Sequence, residues 1–217
     1  MDITLAEIAV KHPSASRVFH RHGLDFCCHG NRGLDEACAE RGLSFIDVLI
    51  EIGEEERERE QPTRWEQRTI PELIDHIVSY YHRRLRDELP QLIAMAARVE
   101  RVHAEKASCP RGLCDHLQVM QTAVLDHLAK EETILFPMLL AGRGPVAGRP
   151  IQVMEMEHQD HAENLRHVRT ITSNLVVPPE ACATWKALYL RLDAFEAEFM
   201  DHIHLENNIL FRRALCQ

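Results

Sequence analysis

Two apolar stripes of this chain each carry a histidine and a glutamate where a buried helix should carry only hydrocarbon. Residues 126–136 read DHLAKEETILF and residues 201–211 read DHIHLENNILF, an internal repeat of the form DHxxxExxILF. Leu113, Leu117, Met120, Val124, His127, Glu131 and Ile134 step by alternating fours and threes, and Leu188, Leu192, Phe195, Phe199, His202, Glu206 and Ile209 repeat the pattern. That spacing places each set on one helix face turned toward a core. An unpaired carboxylate buried there is strongly disfavoured, so the pattern calls for a compensating cation, which a metal ion supplies. A lone core histidine reads as a hydrogen-bonded structural residue. Two HxxxE pairs at matched positions read as ligands.

The rest of the C-terminal region supplies partners for them. Thr69, with Pro71 in the first turn and Glu72 three residues on, is a capping-box start for a helix running to about residue 102. Further helices are predicted over about 113–140, with Pro137 bending or ending the helix, over about 150–172, and from the Pro178–Pro179–Glu180 cluster to about 214. Short connections between long helices imply an all-α, up-down-up-down four-helix bundle. His82 lies on the first helix in the stripe Asp75, Val78, His82, Leu85, Leu89, Leu92, Ala96, Val99. His158 lies on the third in the stripe Ile151, Met154, His158, His161, Leu165, Val168. Counted in turns from the helix ends, His82, His127, Glu131, His158, His202 and Glu206 fall in one layer. Four imidazoles and two carboxylates suit first-row transition metals, and two carboxylates able to bridge point to a pair of ions, read here as two irons.

Ferritin-like di-iron bundles use ExxH motifs, which Glu155–His158 and Glu100–His103 match in letters. His103, however, is 21 residues beyond His82, about 31 Å along a straight helix. It reaches the layer only if the helix breaks, for which Pro90 is the candidate. His161, one turn from His158, is a candidate seventh ligand or an outer group. Glu157, Asp126 and Asp201 adjoin ligand histidines but point off the stripe, as solvated or outer carboxylates. His12, His20, His22, His76, His116, His167 and His204 have no such company and read as ordinary.

Residues 1–52 form a smaller unit of short helical patterns punctuated by Gly23, Gly30, Gly33 and Gly42, followed by a charged linker at 53–69 and the bundle at 70–217. The small unit carries Cys27-Cys28-His29-Gly30. Adjacent cysteines close a disulfide only through a strained ring, so Cys27 and Cys28 read as candidate redox thiols, with His29 placed to stabilise a thiolate. The other five cysteines show no convincing ligand spacing. A total of seven cannot all pair within one chain, and the start MDITLAEIAVKH carries acidic residues where a secretory signal has basic and apolar ones, so a cytoplasmic setting with reduced thiols is expected. A formal charge of -9, with 25 Lys plus Arg against 34 Asp plus Glu and no basic block, argues against nucleic acid as a partner. No apolar run approaches the roughly 18 to 20 residues of a membrane span.

LDFCC in the short helical domain, YYH at 80–82, VERVH at 99–103, DHLAKEETILFP at 126–137, MEMEH at 154–158 and DHIHLENNILF at 201–211 together resemble the iron-sulfur cluster repair di-iron proteins, also called repair of iron centres proteins. The resemblance covers nearly the whole chain. It implies a hemerythrin-like bundle and a cytoplasmic bacterial protein that helps restore iron-sulfur clusters damaged by nitric oxide or oxidants. It also implies an oxo- and carboxylate-bridged centre of two non-haem irons, with His82, His127, His158 and His202 as terminal ligands and Glu131 and Glu206 as bridges. Cys27 and Cys28 match the family's double cysteine. His29 stands where the family usually has Gly, and Arg212 where a Pro commonly follows ILF. The implied partners are damaged iron-sulfur proteins or a cluster assembly scaffold, with nitric oxide as a candidate ligand and a homodimer as a candidate assembly. Delivery of ferrous iron and clearance of nitric oxide both stay open as mechanisms, beside an oxygen or nitric oxide carrier or sensor and a di-iron oxidase or peroxidase. The double-cysteine domain favours repair, since a simple carrier has no use for it.

Overall fold

The computed structural model describes residues 3–58 and 63–216. Within them the chain is all-α, and no strand forms beyond a single bridge between Thr4 and Gly33. Four helices come first: α1 (Leu5–Lys11), α2 (Ala15–Arg21), α3 (Leu34–Glu40) and α4 (Phe45–Glu58). Thr4 opens α1 with a reciprocal capping box, its side chain accepting the Glu7 amide while the Glu7 carboxylate accepts the Thr4 amide. Leu5, Val18, Phe19, Phe26, Leu34, Val48 and Ile52 close a small core between them. The acidic run from Glu54 continues α4, and residues 59–62 of the expected linker lie outside the described residues.

Four long helices follow. Thr69 caps α5 with the capping box its sequence predicts. Helix α5 is continuous over 70–102, as Ile70–His76, a π turn at Ile77–His82, and Arg83–Val102, and it passes Pro90 without breaking. Helix α6 is Leu113–Lys130, a π turn at Glu131–Leu135, and Phe136–Leu140. Helix α7 is Gly148–Ile171. Helix α8 is Ala183–His204, a π turn at Leu205–Leu210, and Phe211–Leu215. Each packs on its sequence neighbours and α8 returns to α5, which closes the bundle.

Three helices therefore widen near the buried polar residues. A π turn inserts an extra residue, so the residues on either side of it no longer share one stripe. This corrects the sequence pattern in two places. In α5 the residues buried up to the first position of the turn are Ile70, Leu73, Ile74 and Ile77, while Asp75 is exposed and Val78 only half-buried. In α6 the buried residues after Glu131 are Leu135, Phe136 and Leu139, while Ile134 is exposed. Pro137 lies two residues past the end of that π turn and α6 ends at Leu140, beyond the proline. A widened turn relieves the clash that a proline ring makes with the preceding turn of a regular helix.

Hydrocarbon fills the bundle in two separate cores. One, including Leu89, Leu92, Leu117, Met120, Leu188 and Phe195, lies toward the 102–113 connection; the other, including Ile77, Leu139, Ile151 and Leu210, lies toward the 140–148 connection. The layer between them is polar. Cys27 of the small unit packs into the first core, and Met200 touches both that core and the small one.

Candidate metal centre

The polar layer gathers residues from all four bundle helices. His82 closes the π turn of α5, His127 and Glu131 flank the start of the π turn in α6, His158 comes from α7, and His202 and Glu206 flank the start of the π turn in α8. None of the six is more than 1% exposed. The ligand atoms of His82, Glu131, His202 and Glu206 lie within 4.8 Å of one another, as do those of His127, Glu131, His158 and Glu206. Both glutamates thus belong to both groups. Glu206 divides its oxygens, with Oε1 3.1 Å from His202 Nε2 and 3.8 Å from His82 Nε2, and Oε2 3.1 Å from His158 Nε2. Glu131 Oε2 sits 3.4 Å from His82 Nε2 and 3.5 Å from His127 Nε2.

Among these atoms only His158 Nε2 and His127 Nε2 bond each other, at 3.0 Å. Neither carboxylate has a hydrogen-bond partner with sound geometry, and neither does His82 Nε2 or either ring nitrogen of His202. Buried polar atoms without partners are costly, so a cluster of this size needs a guest. Converging imidazole nitrogens and carboxylate oxygens are donors to a cation, and the set fits transition metals.

The titration behaviour carries the same strain. Burial, with the Glu206 charge second, pushes the Glu131 carboxyl up to about 8. Burial also opposes ionisation of Glu206, but its histidine neighbours hold it well below the ordinary carboxylate range. Burial would keep His82 and His158 neutral, yet the two glutamates raise them to about 10 and about 9. Burial lowers His127 and His202.

Outside the cluster, three of the four histidines turn Nδ1 to an acceptor. His82 Nδ1 is 2.7 Å from Glu132 Oε1, His127 Nδ1 is 2.8 Å from Glu157 Oε2, and His158 Nδ1 is 2.8 Å from Asn207 Oδ1. Such contacts fix ring orientation and leave Nε2 free to donate to a metal. His202 has no such acceptor; instead its ring stacks on Tyr81 at 5.5 Å and on Phe199 at 6.0 Å. Phe136 stacks on His82 and Phe211 on His158. Glu132 and Asn207 are absent from the sequence reading, although a signal existed: each directly follows the glutamate of its repeat copy.

The remaining sequence candidates lie elsewhere or differ. His161 is buried, both its ring nitrogens are unpartnered, and its ring meets His127 edge-on at 5.0 Å, but it belongs to neither group of converging ligands. Burial, with His158 second, lowers it to about 3. His103 bonds Cys182, Nε2 to Sγ 3.2 Å, away from the layer, because α5 does not break at Pro90. Glu157 is an outer acceptor, Asp126 pairs with Lys130, and Asp201 lines a cavity between α8 and the small unit.

Cys27 and Cys28 lie against the bundle, their sulfurs 3.7 Å apart. Asp25 organises their turn, accepting the Cys28 and His29 amides and bonding the His29 ring at 2.7 Å. The role expected of His29 is therefore corrected: it serves Asp25, not a thiolate. The Cys28 contact, followed by burial and the Asp25 charge, pushes the Cys27 thiol up, so Cys27 stays protonated. Gly30 is needed here, since a Cβ would run into the Phe26 carbonyl and Ala6.

Residues 73–214 match the family described as hemerythrin HHE cation binding domain, and residues 1–56 match a domain of unknown function, DUF542. The chain is 43% identical over 212 residues to the iron-sulfur cluster repair protein YtfE of Musicola paradisiaca, covering 98% of this chain and 96% of that one. The proteins of the same description from Citrobacter koseri and Escherichia coli O8 are each 44% identical over 216 residues, covering 99% of this chain and 97% of theirs. No described helix is long and apolar enough to cross a membrane.

Proposed function

Because this chain belongs to the hemerythrin HHE family, and within it to the iron-sulfur cluster repair proteins, we propose that it holds two non-haem irons and restores iron-sulfur clusters damaged by nitric oxide or oxidants. His82 and His202 would hold one ion and His127 and His158 the other, with Glu131 and Glu206 shared between them. The observation that carries this is the membership of both glutamates in both groups, since a single ion has no use for two sets of histidines.

When bound, the irons supply redox chemistry and affinity for small ligands such as nitric oxide. The chain supplies the rest. Glu131 and Glu206 bring negative charge into a layer that hydrocarbon seals on both sides. Glu132, Glu157 and Asn207 hold three rings with Nε2 inward, and Phe136, Phe211 and Phe199 cover the faces of His82, His158 and His202. Iron is also cargo in this reading, released to a damaged protein or an assembly scaffold in the cytoplasm, while Cys27 and Cys28 engage the client. The packing of the thiol turn against the ligand helices favours repair over a simple carrier, because Cys28 Sγ lies 3.5 Å from the backbone carbonyl of His158.

Two measurements test the reading. Anaerobic loading should give two irons per chain, with oxo-bridged ferric bands after oxidation. The loaded protein should restore activity to nitric-oxide-damaged aconitase, and the metal-free protein should not. Fewer than one iron per chain, or reversible oxygen binding with no restoration, overturns it.

A further inference from the structure

Outside the buried centre, Asp25, Cys27 and Cys28 bring a carboxylate oxygen and two sulfurs within 4.8 Å of one another. Consecutive side chains ordinarily diverge, to opposite faces in a strand and by about 100° round a helix. Here a bend at residues 27–29 turns both sulfurs the same way, 3.7 Å apart, with Asp25 Oδ1 3.4 Å from Cys27 Sγ. A disulfide needs about 2.0 Å between sulfurs, so the pair is a dithiol. Its spacing is that of ligands on one ion. With bonds of about 2.3 Å to sulfur and about 2.0–2.2 Å to oxygen, a tetrahedral ion sets its sulfurs about 3.8 Å apart and sulfur from oxygen about 3.5–3.7 Å apart.

The surrounding turn is built to keep that spacing. Asp25 Oδ1 accepts the Cys28 and His29 amides at 3.0 and 3.3 Å, and Asp25 Oδ2 is held by the His29 ring at 2.7 Å. Asn207 and Asn208 of α8 donate to the Cys27 carbonyl at 3.1 and 3.4 Å, and Asn208 also to the Phe26 carbonyl at 3.2 Å. The Ala6 amide donates to the Gly30 carbonyl at 2.8 Å. Hydrogen bonding alone does not call for the convergence, because Cys27 has one proton to give and faces both Asp25 and Cys28. Asp25 and Cys27 also line a cleft of about 740 Å³ between α2 and helices α7 and α8, through which an ion is reached from outside. A divalent ion held by one carboxylate and two thiolates carries a net negative charge, and Arg41 and Arg166 line the same cleft.

We propose that Asp25, Cys27 and Cys28 form a further cation site, an exchangeable one for a thiophilic divalent ion, with ferrous iron as its occupant. Two sulfurs select soft or borderline ions. Binding forms two metal–sulfur bonds and one metal–oxygen bond, and two protons pass to solvent. Cys27 keeps its proton when no ion is present, so binding is weak and the ion is lost on gel filtration, leaving the two irons of the buried centre. The site stands on its own ligands, but its assignment to iron rests on the reading of the buried centre as an iron holder.

The test starts from the full chain loaded anaerobically with ferrous iron and freed of loose metal by gel filtration. Titration with cobaltous ion should then raise a sulfur-to-cobalt charge-transfer band in the near ultraviolet, which the histidines and glutamates of the buried centre cannot give. Excess ferrous iron should erase the band. Cys28→Ser and Asp25→Asn should each lose it while keeping the two irons; Asp25→Asn retains an oxygen for the two amides of the turn, and circular dichroism reports that each variant is folded. His29 is a positioning residue for Asp25, so His29→Ala should weaken cobalt binding about 10- to 100-fold with the band unchanged in shape, and His29→Gln, which still donates to Asp25, should recover most of that loss. No band in the unaltered protein, or a band that survives Cys28→Ser, overturns the site alone. A band that ferrous iron leaves in place overturns its assignment to iron. A chain that holds no iron after gel filtration overturns the reading of the buried centre, whatever the band does.

Discussion

When iron is withdrawn from the loaded protein, the ion between His82 and His202 should leave first. The two halves of the centre share both carboxylates but differ in what holds their histidines. His127 and His158 both have outer acceptors, Glu157 and Asn207, each at 2.8 Å. In the other half His82 has Glu132 at 2.7 Å, while His202 Nδ1 is buried with no partner. Loss of one outer partner typically weakens a metal site by about 10- to 100-fold, or about 1.4 to 2.8 kcal/mol. The Tyr81 and Phe199 rings already fix the plane of His202, at interplanar angles of 19° and 15°, which favours the lower end. Rapid mixing with an excess of a colour-forming ferrous chelator should resolve two phases of one iron each, separated about tenfold in rate if the affinity difference appears mainly in release. Glu157→Ala, which takes the acceptor from His127, should draw the phases together, and Glu132→Ala should spread them. A single phase for both irons, or a Glu157→Ala protein in which only the fast phase quickens, would refute the reasoning.

Two further predictions concern stability and thiol chemistry. Glu131 is wholly buried with neither oxygen partnered, so metal-free Glu131→Leu should be more stable than the metal-free parent by about 1 to 4 kcal/mol, at about 2–4 °C in Tm per kcal/mol for a chain of this size. It should also lose the stabilisation that iron gives the parent, and calorimetry with and without iron checks both. Cys182 caps α8 beside His103, which, with the amides of the first turn, lowers the thiol to about 7. Because the thiolate is the reactive form, alkylation of Cys182 should rise with pH to half its plateau near 7, and peptide mapping of His103→Ala should show that midpoint moving upward.

The buried polar layer was legible because its residues violate a rule. A histidine and a glutamate on a hydrocarbon stripe stand out in any helix, and the DHxxxExxILF repeat made them stand out twice. The helix starts were legible for a local reason, the capping box at Thr69 being a contact between residues three apart. What surrounds the ligands was not legible by such means. Glu132 serves a histidine 50 residues away, Glu157 one 30 residues away and Asn207 one 49 residues away. No periodicity within a helix reports a contact between helices. The π turns escaped for a different reason, since no residue preference marks them, and those in α5 and α6 moved the buried face by one residue. That is why Ile134 was placed inside and Leu135 was not.

Those π turns also explain how one short repeat can furnish so much of the centre. After the widened turn the phenylalanine that ends each ILF comes round to the core, Phe136 against His82 and Phe211 against His158. Glu132 and Asn207 meet the same two histidines from the side. Each copy therefore gives the centre its own histidine and a shared glutamate, and gives the helix before it an acceptor and an aromatic wall. Helices α5 and α6 relate to each other as α7 and α8 do, which accounts for two half-sites of one design. The copies diverge at residues 132–133 and 207–208, and the second copy is the one on which the cysteine turn rests. A centre needed only to hold metal has no reason to break its symmetry there. The break lies where the bundle meets the thiols, and it exchanges a carboxylate and a hydroxyl for the two amides that reach them.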